Sequence, residues 1–248
     1  MGIERILITV RTYPNVSTKY IETVCTGGIN DNGHWRRLYP VLHRQLEEEK
    51  QYKTYDVVEV KLNDHSPDGR PESRHPDCSS IEIIDHLNTW EARWNWVSPT
   101  ILQSMRELRD SESTLRPVRV SEVIEFIADP IDKEWSPKQL ELLRQELLFD
   151  GPKPLEKIPY DFRIRWKDSE GEEHNSKFLA WEVGQSWRKF RDIEKVRDVW
   201  LTKRLCSDFE LSFFMGNFAA HRQNYGICGV FHPPKEIATS GSLFTDNE

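Results

Sequence analysis

The sequence predicts an α+β protein in which a β-rich N-terminal half packs against a mixed α/β C-terminal half. Apolar and polar residues alternate over short segments of the first half, as in strands, whereas apolar residues recur at helical spacing over 181–205. No tether rich in Gly, Ser or Pro separates the halves. We therefore expect residues 1–130 and 131–248 to form two units in direct contact.

Short strands separated by turn residues are predicted throughout the first 130 residues. Ile6, Ile8 and Val10 share one face of the first strand, because side chains alternate along extended backbone. Further strands are predicted at 21–29, 34–41, 56–62, 80–84 and 119–127. Residues 63–79 carry four turn-favouring Pro and Gly residues and are predicted to be a long surface loop. This set of strands favours a small barrel of the PUA, ASCH or OB type.

One turn in this half has a specific signature. Asn30, Asp31, Asn32 and Gly33 separate the segments 21–29 and 34–41. Asn and Gly readily adopt the positive φ that tight hairpin turns require. The two segments are therefore predicted to pair as a hairpin.

Helices are predicted mainly after the first 85 residues. A helical segment at 90–109 is interrupted at Pro99, and Ser136 with Pro137 begins another helix, since Ser caps helices and Pro suits their first position. The segment 181–205 is predicted as one bent helix or as two, with Asp192 capping the second. Strands are predicted at 161–166, 177–181, 211–215 and 225–231.

Composition excludes several classes of protein. The chain has 248 residues, with 37% hydrophobic and 30% charged residues, which is typical of a globular protein and not of a disordered one. A formal net charge of −7 argues against general coating of a polyanion, although a local basic groove is compatible with it. The apolar runs are far shorter than the roughly 20 residues of a spanning helix. With no secretion signal at the N-terminus, we expect a cytoplasmic protein without a membrane partner. The oligomeric state is left open.

Two surface segments could bind phosphate or nucleic acid. Along an extended 33–40 segment, Arg37 and Tyr39 share one face and Arg36 lies on the other, so a cation stands beside an aromatic ring. The second segment, 68–75, supplies Arg70 and Arg74, with Glu72 able to orient one of them. The predicted set is Arg36, Arg37, Tyr39, Arg70 and Arg74, and the competing interpretation is that these arginines are solvated or paired.

Two further features could carry chemistry. Glu182 follows a predicted strand and His221 lies between two others, so a carboxylate and an imidazole could share acid–base catalysis if the fold unites them. The segment 182–204 has seven basic and four acidic residues, which suits either a phosphate track or a solvated helix. The sequence contains no complete catalytic signature, so it leaves enzymatic activity open.

Several motifs together resemble a family of prokaryotic hypothetical proteins. They are Arg37 to Pro40, Arg70 to Ser73, Trp181 with Glu182, Gly216 with Asn217 and then His221, and Gly229 to Phe231. The resemblance spans most of the chain and implies that these segments are parts of one family architecture. It implies no activity. Members of that family carry a Cys-bearing turn before the position of His174 and an Asp before that of Trp181. This chain has acidic residues and Ala180 there.

Three functions are compatible with these features. The leading hypothesis is a nucleic-acid-binding or nucleic-acid-processing protein that acts on a flipped or single-stranded base, with some of the nine tryptophans as stacking faces. The alternative is a small-molecule enzyme that acts on a nucleotide or phosphorylated metabolite, since one phosphate needs only two or three cations. The third is a non-catalytic protein-interaction module, which an exposed patch of Trp90, Trp94 and Trp96 would favour.

The sequence also predicts that the protein holds no zinc and needs no cofactor. The four cysteines form no C-x-x-C pair and the eight histidines are dispersed. The acidic residues 168–173 with His174 could hold a hard cation, but such turns are usually solvated. We expect the purified protein to contain no stoichiometric zinc by elemental analysis and to keep its thermal transition in chelator. One tightly held zinc per chain, with loss of that transition on chelation, would contradict the prediction.

Overall fold

A computed structural model describes residues 2–17, 21–63, 69–147, 155–219 and 221–241 of the chain. Within these ranges the chain forms two β-sheets and six α-helices. The strands of the first sheet are β1 (Gly2–Arg11), β2 (Asn15–Ser17), β3 (Ile21–Asn30), β4 (Trp35–Val41), β5 (Asp56–Asn63), β6 (Ser73–Pro76) and β7 (Glu82–His86). The strands of the second are β8 (Leu115–Pro130), β9 (Tyr160–Asp168), β10 (Glu173–Lys177), β11 (Ser212–Phe218) and β12 (His221–Phe231).

Five strands of the first sheet close into a barrel. They follow the order β1, β3, β4, β6 and β5, and β5 pairs back onto β1. All neighbours are antiparallel except β4 and β6, where Arg37 lies opposite Ser73. Ile6, Ile8 and Leu38 fill the interior together with the fully buried Tyr52. The predicted β-rich N-terminal half with a small barrel is confirmed.

The hairpin of β3 and β4 forms where its turn residues predict it. Gly33 has a φ of 75° and donates its backbone N–H to the carbonyl of Asn30. The side chain of Asn30 accepts hydrogen bonds from the N–H groups of Asn32 and His34, which closes the turn. This hairpin presents Arg37 and Tyr39 toward the second sheet.

The prediction of a surface loop at 63–79 is wrong for the second part of this segment. Arg70, Glu72 and Ser73 are buried, and β6 supplies the short parallel pairing that closes the barrel. Residues 64–68 lie outside the described ranges. The four residues of β6 begin two positions after Pro71 and end at Pro76, so the composition of this segment resembled a turn.

The second sheet is antiparallel, in the order β10, β9, β8, β11 and β12. The segment 119–127, predicted to complete the N-terminal set of strands, lies in β8 and pairs with β9 and β11. The return strand predicted at 177–181 is instead β10, which begins at Glu173. Its polar residues lie at the edge of the sheet and show no apolar alternation, so the pattern did not reveal them.

The helices are α1 (Trp90–Val97), α2 (Met105–Asp110), α3 (Pro137–Leu147), α4 (Trp181–Phe190), α5 (Ile193–Lys203) and α6 (Lys235–Gly241). Of the two alternatives left open for 181–205, the structure has two helices, and the Asp192 side chain caps α5, as predicted, by accepting from the N–H groups of Glu194 and Lys195. Val183 of α4 and Trp200 of α5 join the core of the second sheet, which includes Trp166 and Phe213. None of the helices in the described part of the chain is long and apolar enough to cross a membrane.

A shared core joins the barrel to the second sheet. Leu7 and Trp35 of the barrel pack in one buried cluster with Leu115, Phe214 and Phe231 of the sheet. The rings of Trp35 and Phe214 lie 5.7 Å apart, centre to centre. The two halves are therefore packed directly on each other, as the absence of a tether predicts.

Because this core is shared, one substitution in it is expected to destabilise both halves together. Phe214 is fully buried, and Phe214→Ala should lower the free energy of unfolding by about 3–5 kcal/mol through lost burial and a cavity. We expect a single cooperative transition at lower urea concentration, followed by tryptophan fluorescence and circular dichroism. Ile84→Ala, at a 39% exposed position, is the matched control with little effect. Two separate transitions, of which only one moves, would contradict this expectation.

Candidate functional site

A cavity of about 510 Å³ lies where the barrel meets the second sheet. We call it the seam cavity. Both halves line it: the barrel contributes Cys25, Arg37 and Tyr39, and the second sheet contributes Gly216, Asn217 and Cys228. Its volume lies within the roughly 300–1,000 Å³ typical of small-molecule sites.

Arg37 is the most deeply buried cation of this cavity. Only 1% of the residue is exposed, yet its guanidinium donates to the carbonyl of Thr114 at 3.0 Å and to Cys25 Sγ at 2.9 Å. Burial alone would lower the pKa of Arg37, but the neighbouring thiols and Glu72 outweigh it and raise that pKa. Arg37 is therefore a fixed positive charge at the base of the cavity.

Arg70 brings a second guanidinium to the same cavity. It is 6% exposed and donates from Nη1 to the carbonyl of Asn217 at 2.9 Å. The backbone N–H of Asn217 in turn donates to the carbonyl of Thr114, which also accepts from Arg37. The two arginines are thus connected through backbone groups of the second sheet.

Glu72 anchors this arrangement from the barrel side. Its carboxylate accepts from the N–H and the hydroxyl of Thr114, both at 2.6 Å, and its backbone carbonyl accepts from the N–H of Arg37. The sequence suggested that Glu72 would orient an arginine directly. It does so indirectly, through Thr114. We refer to Arg37, Arg70, Glu72, Thr114 and Asn217 as the seam network.

The wall of the cavity is positively charged. Among the described residues that line it, the cations are Arg37, Arg70, Lys157 and Lys177, and the acid is Asp161. Lys177 contacts Asp161 at 3.3 Å, and the ammonium of Lys157 lies 5.6 Å from the centre of the Trp135 ring. Aromatic rings form much of the remaining wall, including those of Tyr13, Tyr39, Trp135, Tyr160 and Phe218.

The structure separates the predicted phosphate-binding residues into two groups. Arg37, Tyr39 and Arg70 line the seam cavity. Arg36 lies outside it and forms an ion pair with Glu4 at 2.7 Å. Arg74 also lies outside it and donates to the carbonyls of Pro71 and Ser73. Strand alternation explains the separation of Arg36 from Arg37.

The predicted pair of Glu182 and His221 lies on different parts of the fold. Glu182 is in the first turn of α4 and accepts from the hydroxyl of Thr54 at 3.0 Å. His221 is exposed and is the first residue of β12, whereas the sequence placed it in a loop. Neither residue is among those that line the seam cavity.

The arginines of the α4 region and the tryptophans predicted as binding residues are held in ion pairs or in core packing. On α4 and at its C-terminal end, Arg188 and Arg191 both pair with Glu156. Trp35, one of the nine tryptophans from which stacking faces were predicted, is 3% exposed and belongs to the shared core. Trp90, Trp94 and Trp96 pack partly buried against the same core, with Trp94 stacked on Phe231 at 6.0 Å.

One group has the spacing of metal ligands. Candidate ligand atoms of Asp168, Glu172 and His174 lie within 4.8 Å of one another. However, Asp168 accepts from three backbone N–H groups and from His174 Nε2, so both of its oxygens are already occupied. Burial would raise the pKa of Asp168, but these bonds lower it. This group is explained as a hydrogen-bonded turn.

Two family models match the chain. Domain of unknown function DUF8758 matches residues 3–99, and domain of unknown function DUF8757 matches residues 97–248, more than half of the chain. The chain belongs to the DUF8757 family. A search of curated proteins finds no match. The DUF8757 segment supplies Thr114, Asn217 and Cys228, whereas Arg37 and Arg70 come from the DUF8758 segment, so the seam cavity is built from both.

Sequence reasoning did not identify several residues of this site. Thr114 and Asn217 act mainly through backbone groups, which a sequence pattern does not reveal. Cys25 and Cys228 are 203 positions apart in sequence, and the shared cavity brings them together. Lys157 and Lys177 are isolated lysines without a motif. The Gly216-Asn217 pair within the resemblance was the one available signal.

Two histidines, the buried His43 and the half-buried His232, make stability depend on pH. His43 donates from Nε2 to the carbonyl of Tyr52, while burial and the charge of Arg11 lower its pKa to about 4. Burial and Arg204 likewise lower the pKa of His232 to about 4. Between the unfolded value of about 6.5 and this folded value, the unfolded chain binds more protons than the folded one.

We therefore expect the free energy of unfolding to fall as the pH falls from about 6.5 to 4, by up to about 3 kcal/mol per histidine. Urea titrations across this range will measure it. The variants His43→Gln and His232→Gln should each flatten the dependence, whereas His221→Gln, at an exposed position, serves as the matched control. An unchanged slope in the double variant of His43 and His232 would contradict the assignment.

Proposed function

We propose that the chain binds a single nucleotide unit in the seam cavity. The observation that carries this proposal is the convergence of four cations and several aromatic rings on one cavity of about 510 Å³. A nucleotide combines the two properties that such a wall recognises, a compact negative charge and a flat aromatic ring. The same wall offers little to a neutral aliphatic ligand.

The phosphate would lie among the cations. Arg37 and Arg70 are buried and fixed by the seam network, so they set a positive potential without having to leave their partners. Lys157 donates from Nζ to the carbonyl of Glu134 and Lys177 pairs with Asp161, but both stand at more accessible positions, so we propose that their flexible ammonium groups turn to a phosphate oxygen when it binds. These two lysines are the proposed direct contacts.

The base would lie against the aromatic wall. Tyr39 of β4, Trp135 in the segment before α3 and Tyr160 of β9 line the cavity, and all three are partly buried. The rings of Tyr160 and Trp187 lie 4.8 Å apart, and the Lys157 ammonium lies 5.6 Å from the centre of the Trp135 ring. Tyr39, Trp135 and Tyr160 are the proposed stacking partners.

A single unit fits this surface better than a polymer track. The chain carries a net charge of −7, Arg36 and Arg74 lie outside the cavity, and Arg188 and Arg191 are paired with Glu156. A polynucleotide track needs many unpaired cations along its length. The unit could come as a free nucleotide or as one base displayed by a single strand, and the experiment below separates the two sources.

The test measures binding by calorimetry and by thermal shift. Mononucleotides should stabilise the protein, and the matching nucleosides and inorganic phosphate should bind more weakly. A single-stranded oligonucleotide that binds while mononucleotides do not would identify a displayed base as the source. No stabilisation by any of these ligands would contradict the proposal.

The double variant Lys157→Gln with Lys177→Gln should weaken nucleotide binding at least about tenfold, because each lost charge-assisted hydrogen bond costs more than about 1 kcal/mol. The matched control is Lys195→Gln with Lys203→Gln on α5, which removes the same charge outside the cavity. Equal losses in the two double variants would show that net charge, and not the cavity, determines binding.

A further inference from the structure

The seam cavity also contains thiols in an unusual setting. Cys25 lines the cavity, is partly exposed, and accepts a hydrogen bond from Arg37 Nη1 at 2.9 Å. A guanidinium aimed at a sulfur stabilises the negative charge that forms there when the thiol ionises. The same sulfur therefore accepts from a buried cation and lines the cavity.

The other three cysteines lack this combination. Cys228 lines the same cavity but is buried, and burial raises its pKa to about 12. Burial and the adjacent Asp77 raise the pKa of Cys78. Cys206 lies beside the carboxylate of Asp208, at 3.7 Å. Among the four cysteines, Cys25 is thus the one that both lines the cavity and accepts a hydrogen bond from a buried guanidinium.

A separate observation indicates that the cavity around Cys25 is built to hold a ligand. Asn217 is 5% exposed and lines it; its Nδ2 donates to the carbonyl of Arg222 at 3.0 Å, but its Oδ1 is a buried acceptor that finds no donor among the described residues. Arg37 Nε is likewise buried without an acceptor in the described part of the chain. Leaving such groups unsatisfied costs about 1–3 kcal/mol each, which a ligand-binding site tolerates more readily than a packed core.

We propose that Cys25 is a nucleophilic thiol that reacts with small anionic electrophiles admitted to the seam cavity. The thiolate attacks an electrophilic carbon, a carbon–sulfur bond forms, the leaving group departs with the bonding electrons, and the thiol proton passes to solvent. Arg37 holds the sulfur, and the cations of the wall attract the anionic reagent. This inference does not depend on a nucleotide being the natural ligand.

The test uses iodoacetate, which is anionic, and iodoacetamide, which is neutral and of similar size. The folded full chain is alkylated with each reagent, and the modified fraction of all four cysteines is followed over time by mass spectrometry. Cys25 should react at least about tenfold faster than Cys78 and Cys228. The ratio of the iodoacetate rate to the iodoacetamide rate should be at least about threefold higher at Cys25 than at Cys206.

Arg37→Gln should reduce the rate at Cys25 and leave that at Cys206 unchanged, with circular dichroism confirming that the variant is folded. If Arg37→Gln does not fold, the wild-type rates and the variant Lys177→Gln still test the proposal. Lys177→Gln should lower the preference of Cys25 for iodoacetate. Lys203→Gln is the matched control.

The proposal would be overturned if Cys25 reacted no faster than Cys228, or if its ratio of iodoacetate rate to iodoacetamide rate were no higher than that of Cys206. A mononucleotide that fails to protect Cys25 would count against the proposed ligand alone.

Discussion

The burial of two guanidinium groups between the barrel and the second sheet is the constraint on which the site depends. A buried cation is tolerated only where acceptors meet it, and here they are backbone carbonyls of Thr114 and Asn217 together with a thiol. Those carbonyls must be held in place. Glu72 does this for Thr114 by accepting from both its N–H and its hydroxyl.

The seam network also explains why the two sheets leave a cavity between them. The shared core of Trp35, Phe214 and Phe231 closes one part of the seam with apolar packing. Where Arg37 and Arg70 lie, the buried guanidinium groups keep polar partners, and the seam holds a cavity walled by cations and aromatic rings. The same residues that fix the relative position of the halves therefore supply the positive potential of the cavity.

The sequence predicted the fold more completely than the site. Strand alternation, the Asn-Gly turn and the Asp192 cap are local signals, and they correctly predicted the barrel hairpin and the pair α4 and α5. Strand β6 was missed because its pairing with β4 is not visible in the local sequence and because its composition resembles that of a loop. Arg37 was singled out as a cation beside an aromatic ring, and Arg70 as a phosphate-binding residue of the segment 68–75. Their partners were not, because a backbone carbonyl carries no residue signature and only the fold brings Thr114 and Asn217 to them.

A double-mutant cycle between Glu72 and Thr114 tests the central claim most directly. The free energy of unfolding is measured in urea for the wild type, Glu72→Gln, Thr114→Val and the double variant. If Glu72 holds Thr114 in place where the barrel meets the second sheet, the two substitutions are coupled by at least about 1 kcal/mol, because each single variant already breaks the shared contact. Effects that add to within about 0.3–0.5 kcal/mol would contradict the account, since they would mean that Glu72 and Thr114 stabilise the protein independently.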